Sequence, residues 1–285
     1  MEFYLDKKDV AILRVLDGLR RGFEVVFVSK IVEKTPFSYD FVMKRLRKLN
    51  KMKLVELRRG EREWGAKILQ RGLDELAVWN LVTHGVIKEV CGKIGEGKES
   101  VIFSAITPDK EFVVLKFHRY YALEFRKIEK SLAYASVRLR GEELCIEDYE
   151  IDVPKAKAQV EYHVLKKISE LGLAVPKPID LDRHVVVMEM IYDTPGMPCP
   201  LLKKVKLSNP KEAKEMIKEE YNTIVEKAGI VHGDFSEYNI MVKKDGSFYI
   251  IDWPQAVPTS YKLANHIKQR DLENIDRYFK NTYGV

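Results

Sequence analysis

Five short stretches follow one another along this chain, and their order restricts the fold more than any bulk property does. GEGKES, residues 95–100, sits between two strand-like runs, and Lys116 follows in VVLKFHR, twenty-one residues past Gly95. Glu161 lies in the helical stretch VEYHVLKKISELG. VHGDFSEYN, residues 231–239, holds Asp234 and, five residues on, Asn239. IIDWPQ then ends an apolar run at Asp252, thirteen residues past Asn239. Each stretch alone has an ordinary explanation: a Gly-x-Gly pair as a hairpin turn, a lysine as a solvated charge, an Asp or Asn as a cap or turn. The whole series in this order is hard to obtain by chance.

The chemistry these residues offer is coherent. Gly95 and Gly97 let backbone approach phosphate oxygens, and Lys98 and Ser100 add donors. The stretch lacks the Gly-Lys-Ser/Thr that opens a helix in a P-loop. Lys116 alternates with Val114 and His118 on one face of its strand, where an unpaired charge costs on the order of several kcal/mol. Glu161 is its candidate partner, and a nucleotide phosphate could share the lysine. Asp234 could orient or deprotonate a hydroxyl. Asn239 and Asp252 supply a neutral oxygen and a carboxylate, the sparse hard-ligand set that Mg²⁺ completes with phosphate oxygens and water. Gly loop, strand lysine, helix glutamate, D-x-x-x-x-N and strand aspartate are the parts of a protein-kinase-like phosphotransferase.

The N-terminal third reads differently. Residues 6–21 place Val10, Leu13, Leu16 and Leu19 in one helical stripe, and VSKIVEKT gives a second short helix. Ser38 is placed to cap a third helix reaching Leu49, with Phe41, Val42, Leu46 and Leu49 inward. LVELRR and WGAKILQ then read as two strands around the turn RGERE. Three helices and a basic ribbon are the order of a winged helix. The net charge is +6, and residues 39–62 alone carry that excess, with nine Lys/Arg against Asp40, Glu56 and Glu61. Contact with nucleic-acid phosphates is the reading preferred over a merely solvated basic helix, and Arg45, Lys48 and Arg58 are the charges whose loss should weaken it. RGLDELAVWNLVTHG gives a further helix ending at Gly85.

Downstream of Lys116, residues 119–157 carry mixed charge and weak periodicity, as an insertion would. The helix around Glu161 is expected from Val160, VPKPIDLDRHVVVMEM as a strand pair, and Pro210 to Lys227 as a long amphipathic helix. LANHIKQRDLENIDRYF gives a last one. MEFYLDKKD has no signal-peptide pattern, and apolar runs such as VVVMEMI are too short to span a bilayer. Cys91, Cys145 and Cys199 show no CxxC spacing and read as small buried hydrophobes. The histidines lack metal-ligand spacing.

With these motifs assembled, the sequence resembles the RIO kinases, and among them the subfamily whose kinase domain follows an N-terminal winged helix. The basic helices, GEGKES, VVLKFH, VPKPI, VHGDFSEYN and IIDWPQ carry the likeness, with HGD in place of HRD and IDxPQ in place of DFG. The resemblance implies an α+β chain: a winged-helix domain with a linker helix over 1–83, then a two-lobed, trimmed protein-kinase-like domain over 84–285. Its N-lobe would span 84–190 and its C-lobe 191–285. ATP would be bound by Gly95, Gly97, Lys98, Ser100, Val101, Lys116, Glu161, Met188, Glu189 and Ile191, with Met188–Ile191 as the adenine hinge. Asp234 would be the catalytic base, and Asn239 and Asp252 would hold Mg²⁺, with Mn²⁺ as a substitute.

The resemblance also implies a cytoplasmic role in maturing the small ribosomal subunit, with its pre-ribosomal RNA and particle as partners. A monomer with no membrane contact is expected. Ser131 and Ser136 are weak candidates for self-phosphorylation. Gly233 replaces the arginine of H-R-D, so activity should not depend on activation-segment phosphorylation. Only 33 residues follow Asp252, without an A-P-E, which leaves little room for a peptide platform. A switch-like ATPase is therefore expected over a dedicated protein kinase, with Asp252 itself as a candidate phosphoryl acceptor. Two other classes compete with this reading. A small-molecule kinase of the aminoglycoside or choline type shares H-G-D-x-x-x-x-N but needs a large helical substrate subdomain. A DNA-binding regulator with an inactive kinase-like domain has no use for four intact site residues.

Overall fold

The computed structural model describes residues 5–119 and 152–285. Ser131, Ser136, Cys145 and most of the expected insertion lie outside the described residues. The chain forms two compact units, Met1–Gly85 and Val86–Val285.

In the first unit, α1 (Lys7–Leu19) opens with a capping box: the Asp6 carboxylate accepts from the Lys8 and Asp9 N–H groups, and Asp9 accepts from the Asp6 N–H. A two-residue strand, β1 (Val26–Phe27), precedes α2 (Val28–Glu33) and α3 (Tyr39–Lys51), which Ser38 caps. β2 (Val55–Arg59) and β3 (Trp64–Ile68) complete an antiparallel sheet in the order β1-β3-β2, and α4 (Gln70–Thr83) follows. Three helices and a ribbon were expected; β1 is too short for a period-2 pattern to register. Ile12 joins Val10, Leu13 and Leu16 in the buried stripe, whereas Leu19 is only partly covered. On α3, Met43 takes the inward place expected for Phe41, whose ring lies 5.1 Å from the Arg45 guanidinium.

The basic residues of this unit divide into two sets. Arg45 donates to Asp6 at 2.7 Å and Asp9 at 3.2 Å, and Lys48 to Asp9 at 2.5 Å. Asp9 is wholly buried, so losing these cations would strand a charge. Arg58 is engaged by Glu56 and Glu24 at 3.0 and 3.2 Å. The three charges expected to grip nucleic acid are thus occupied within the unit. Lys44, Arg47 and Lys51, spaced i, i+3, i+7 on α3, are exposed and form no ion pair with described residues.

In the second unit, β4 (Glu89–Glu96), β5 (Ser100–Ile106), β6 (Phe112–His118), β7 (Pro178–Asp182) and β8 (Val185–Glu189) form an antiparallel sheet in the order β4-β5-β6-β8-β7. Helix α5 (Val153–Glu170) buries Val160, Val164, Leu165 and Ile168 in the adjoining core. It starts seven residues before the expected Val160, because Asp152 caps it and Pro154 occupies its first turn, where the missing N–H costs nothing. The hairpin β9 (Tyr192–Thr194) and β10 (Met197–Pro198) leads toward α6 (Pro210–Ala228), which ends at Gly229 in the left-handed region, φ +67°. Two strand pairs frame the remainder: β11 (Ile230–Val231) with β14 (Val257–Pro258), and β12 (Ile240–Val242) with β13 (Phe248–Ile250). The last helix is α7 (Ala264–Tyr283). Among the described residues no helix is long and apolar enough to cross a membrane. Cys199 is buried as expected, but Cys91 is exposed on β4.

Candidate active site

Period-2 alternation on β6 turns Lys116 and His118 to the same side, and both meet α5. Lys116 Nζ donates to Glu161 Oε1 at 2.6 Å and to Asp252 Oδ1 at 2.6 Å. Burial alone would lower the lysine's proton affinity; Asp252 and Glu161 outweigh it and hold the ammonium charged well above the usual range. Glu161 is itself fully buried and accepts three bonds, the others being from His118 Nε2 at 2.8 Å and the Trp253 N–H at 3.1 Å. Burial pushes its carboxyl up, but Lys116 and His118 together hold it well below the ordinary range. Burial keeps His118 neutral, so with Glu161 ionised the proton sits on Nε2.

These bonds reach the segment after β13. Asp252 has φ +68°, an uncommon conformation for a residue with a Cβ. Its neighbour Trp253 is fully buried, bonded through its indole N–H to the Ile250 carbonyl at 3.0 Å, with its ring 4.4 Å from His232. The Trp253 anchor and the Glu161 bond hold the backbone that Asp252 strains.

The loop after β11 is held from two helices. Gly233 has φ +85°, and a Cβ there would stand 2.4 Å from the Gln255 carbonyl oxygen, so only glycine fits. Its N–H donates to Asp271 Oδ2 of α7 at 2.8 Å, and its carbonyl accepts from Arg270. Tyr221 of α6 donates to the same Asp271 oxygen at 2.8 Å and receives the His232 N–H at 3.3 Å. Burial, with Asp271 beside it, pushes the Tyr221 hydroxyl far above its ordinary pKa, so it stays a donor.

This frame sets Asp234 open to the cleft. The Asn239 side-chain amide donates to the Asp234 carbonyl at 2.7 Å and reaches its carboxylate at 3.4 Å. The Asp234 carboxyl is raised to about 6, first by burial and then by the Asp252 charge. A carboxyl whose ionisation is made costly by burial and by a neighbouring carboxylate marks a place that a cation would stabilise. The donors there, the Asp252 carboxylate and the Asn239 side-chain oxygen, are hard oxygen ligands, and a dication such as Mg²⁺ fits them. No group of three or more His, Cys, Asp or Glu is gathered for a metal among the described residues, so phosphate and water would complete the shell.

The cleft is lined by Gly97, Lys98, Glu99, Ser100, Lys116, His118, Asp234, Asp252, Pro254 and Gln255. Six of the expected nucleotide residues do not line it, and one of them, Glu161, is buried behind Lys116. Gly95 lies in β4 against Ile102, and Val101 pairs with Glu96 and Phe117. Met188 and Ile191 are buried, and the Ile191 carbonyl receives the Cys199 N–H at 2.8 Å. The Glu189 carboxylate accepts from the Lys177 N–H at 3.2 Å. Sequence reasoning missed Glu99 and His118 as site residues, although both lie inside its motifs. It also missed Asp271, for which no local signal exists.

The chain is similar to several known proteins. The RIO domain family model matches residues 101–285. The RIO-type serine/threonine-protein kinase Rio2 of Methanocaldococcus jannaschii is 31% identical over 266 residues, 91% of this chain and 92% of that protein. Serine/threonine-protein kinase rio2 of Dictyostelium discoideum is 32% identical over 98% of this chain, which spans about half (51%) of that longer protein. Among solved structures, the Rio2 kinase of Chaetomium thermophilum in its ADP/Mg²⁺–phosphoaspartate complex superposes with a TM-score of 0.80 at 23% identity, covering 99% of this chain and 82% of that one.

Proposed function

The chain belongs to the RIO kinase family, and from that membership we propose that it is a Mg²⁺-dependent ATPase whose nucleotide state controls its grip on RNA. The observation that carries the proposal is Lys116 held between Glu161 and Asp252 at 2.6 Å each, in one cleft with Asp234. ATP phosphates would enter against Gly97, Lys98 and Ser100 and draw Lys116 onto the α- and β-phosphates. Asp252 and Asn239 would hold Mg²⁺, with Mn²⁺ as a substitute, and the ion would neutralise charge on the phosphoryl group. Met188–Ile191 would contribute backbone to the adenine.

The reaction is proposed in two steps. An Asp252 oxygen attacks the γ-phosphorus, the bond to the β–γ bridging oxygen breaks, and ADP leaves. Water then attacks the aspartyl phosphate while Asp234 takes its proton, releasing phosphate and restoring the carboxylate. A phosphoaspartate belongs to the Chaetomium complex, which supports this reading. So does the short connection after Asp252. Residues 253–263 are occupied by the buried Trp253 and the β11–β14 pair, and they offer no long activation segment.

Transfer to a protein serine is the second reading, favoured by the names of the relatives. The first unit is proposed as a winged helix that binds small-subunit pre-ribosomal RNA through Lys44, Arg47 and Lys51. The protein would act as a cytoplasmic monomer on the maturing particle. ATP turnover with and without small-subunit rRNA, in wild type and Asp234→Ala, tests the proposal. Turnover that survives in Asp234→Ala would overturn it.

A further inference from the structure

Helix α5 carries two charged side chains one turn apart, and each holds a different wall of the cleft. Glu161 fixes Lys116 on β6. Lys157, four residues earlier, donates to Glu99 Oε2 in the β4–β5 turn. Lys157 is nearly as buried as Glu161, with side-chain exposures of 3% and 1%, whereas Glu99 is 27% exposed and lines the cleft. Among the described residues the turn is otherwise held by backbone: the Gly97 N–H donates to the Ser100 carbonyl at 2.9 Å, and the Arg119 N–H to the Glu99 carbonyl at 2.7 Å.

A carboxylate at the mouth of a triphosphate site is a liability, since it repels the ligand the site must hold. A buried lysine with no anion beside it is a liability of the opposite kind. Pairing the two removes both costs and draws the Gly97–Ser100 turn toward α5. We propose that Lys157 is a positioning residue that acts through Glu99 to set this turn over the nucleotide phosphates. Helix α5 then places the phosphate-facing lysine and the phosphate-facing turn together. The inference rests on the ATP reading above and adds to it a residue outside the sequence motifs.

Calorimetric titration of ATP, ADP and adenosine with Mg²⁺, against wild type, Lys157→Met and Lys157→Met/Glu99→Gln, tests it. In Lys157→Met the freed Glu99 charge and the loosened turn should weaken ATP binding by about tenfold or more. The loss should shrink from ATP to ADP and vanish for adenosine. Adding Glu99→Gln removes the freed carboxylate, so the double variant should regain part of the ATP affinity. The double variant leaves neither charge unpaired, so it keeps the test open if the single variant does not fold: there ATP should still bind more weakly than to wild type, with adenosine unchanged. An equal loss for all three ligands, no loss, or a double variant weaker than Lys157→Met would overturn the proposal. Absence of ATP binding by the wild type would instead overturn the nucleotide reading beneath it.

Discussion

Lys116 and Asp252, 136 residues apart in sequence, are joined by a 2.6 Å ion pair. The strand lysine thus neutralises the carboxylate proposed to receive the phosphoryl group, and nucleotide phosphates must compete for it. Lys116→Met should weaken ATP binding and also destabilise the fold, because Glu161 is left buried with only His118 and the Trp253 N–H. A cost of roughly 3 kcal/mol is expected, read as a shift in the denaturation midpoint. In the wild type the depressed Glu161 carboxyl adds stability at pH values above its ordinary 4.5, which is lost as pH falls below that value. An acid titration of the midpoint that is flat through this range would contradict the buried pair.

Asp234 should behave in the opposite sense. Its carboxyl is raised to about 6, so ionising it at neutral pH costs the folded state more than the unfolded chain. The stability linked to it is present below the ordinary 3.8 and lost as pH rises toward about 6. Asp234→Asn should therefore melt higher than wild type at about pH 7.5, with the gap closing as pH falls toward about 4. The same change should lower turnover about 10²–10⁴-fold, and wild-type turnover should rise with pH through about 6.

Gly233→Ala should damage the loop directly. The left-handed backbone and the close Gln255 carbonyl leave no space for a methyl group. A destabilisation of about 1–3 kcal/mol is expected, with loss of turnover as Asp234 moves. Gly233→Ala with wild-type melting and wild-type kinetics would mean the loop is not held as described.

The two basic sets on the first unit should separate in a salt titration. Replacing Lys44, Arg47 and Lys51 should weaken RNA binding and flatten the slope of log affinity against log salt, by roughly one unit for each phosphate no longer neutralised. Replacing Arg45 and Lys48 should chiefly lower stability, because Asp9 is stranded. Equal salt slopes for wild type and the Lys44/Arg47/Lys51 variant would leave only a solvated face.

The contrast between those sets marks what the sequence could convey. Lys116, Glu161, Asp234, Asn239 and Asp252 were legible because each sits in a short motif whose period or spacing limits where its side chain can go. The pairing of Arg45 and Lys48 with Asp9 was not, since the partner lies 36 and 39 residues away and only folding brings it near. Asp271 was hidden for the same reason: it meets Gly233 across 38 residues, inside a helix whose pattern reads only as amphipathic. The early start of α5 escaped because VPKAKAQ has weak apolar periodicity, while its cap and first-turn proline are local signals that were there to read. Gly95 opens the motif that holds the cleft residues and Val101 follows it, but strand alternation and the hairpin turn leave only Gly97 to Ser100 at the cleft.

Asp252 is proposed to accept the γ-phosphoryl group before water removes it. Single-turnover reactions with γ-labelled ATP, quenched in acid and separated into protein-bound and free phosphate, test this directly. Label is expected on the protein itself, released by hydroxylamine, absent in Asp252→Asn, and decaying into free phosphate at the rate of turnover. Hydroxylamine-resistant phosphoserine on a partner protein, formed faster than free phosphate, would contradict it.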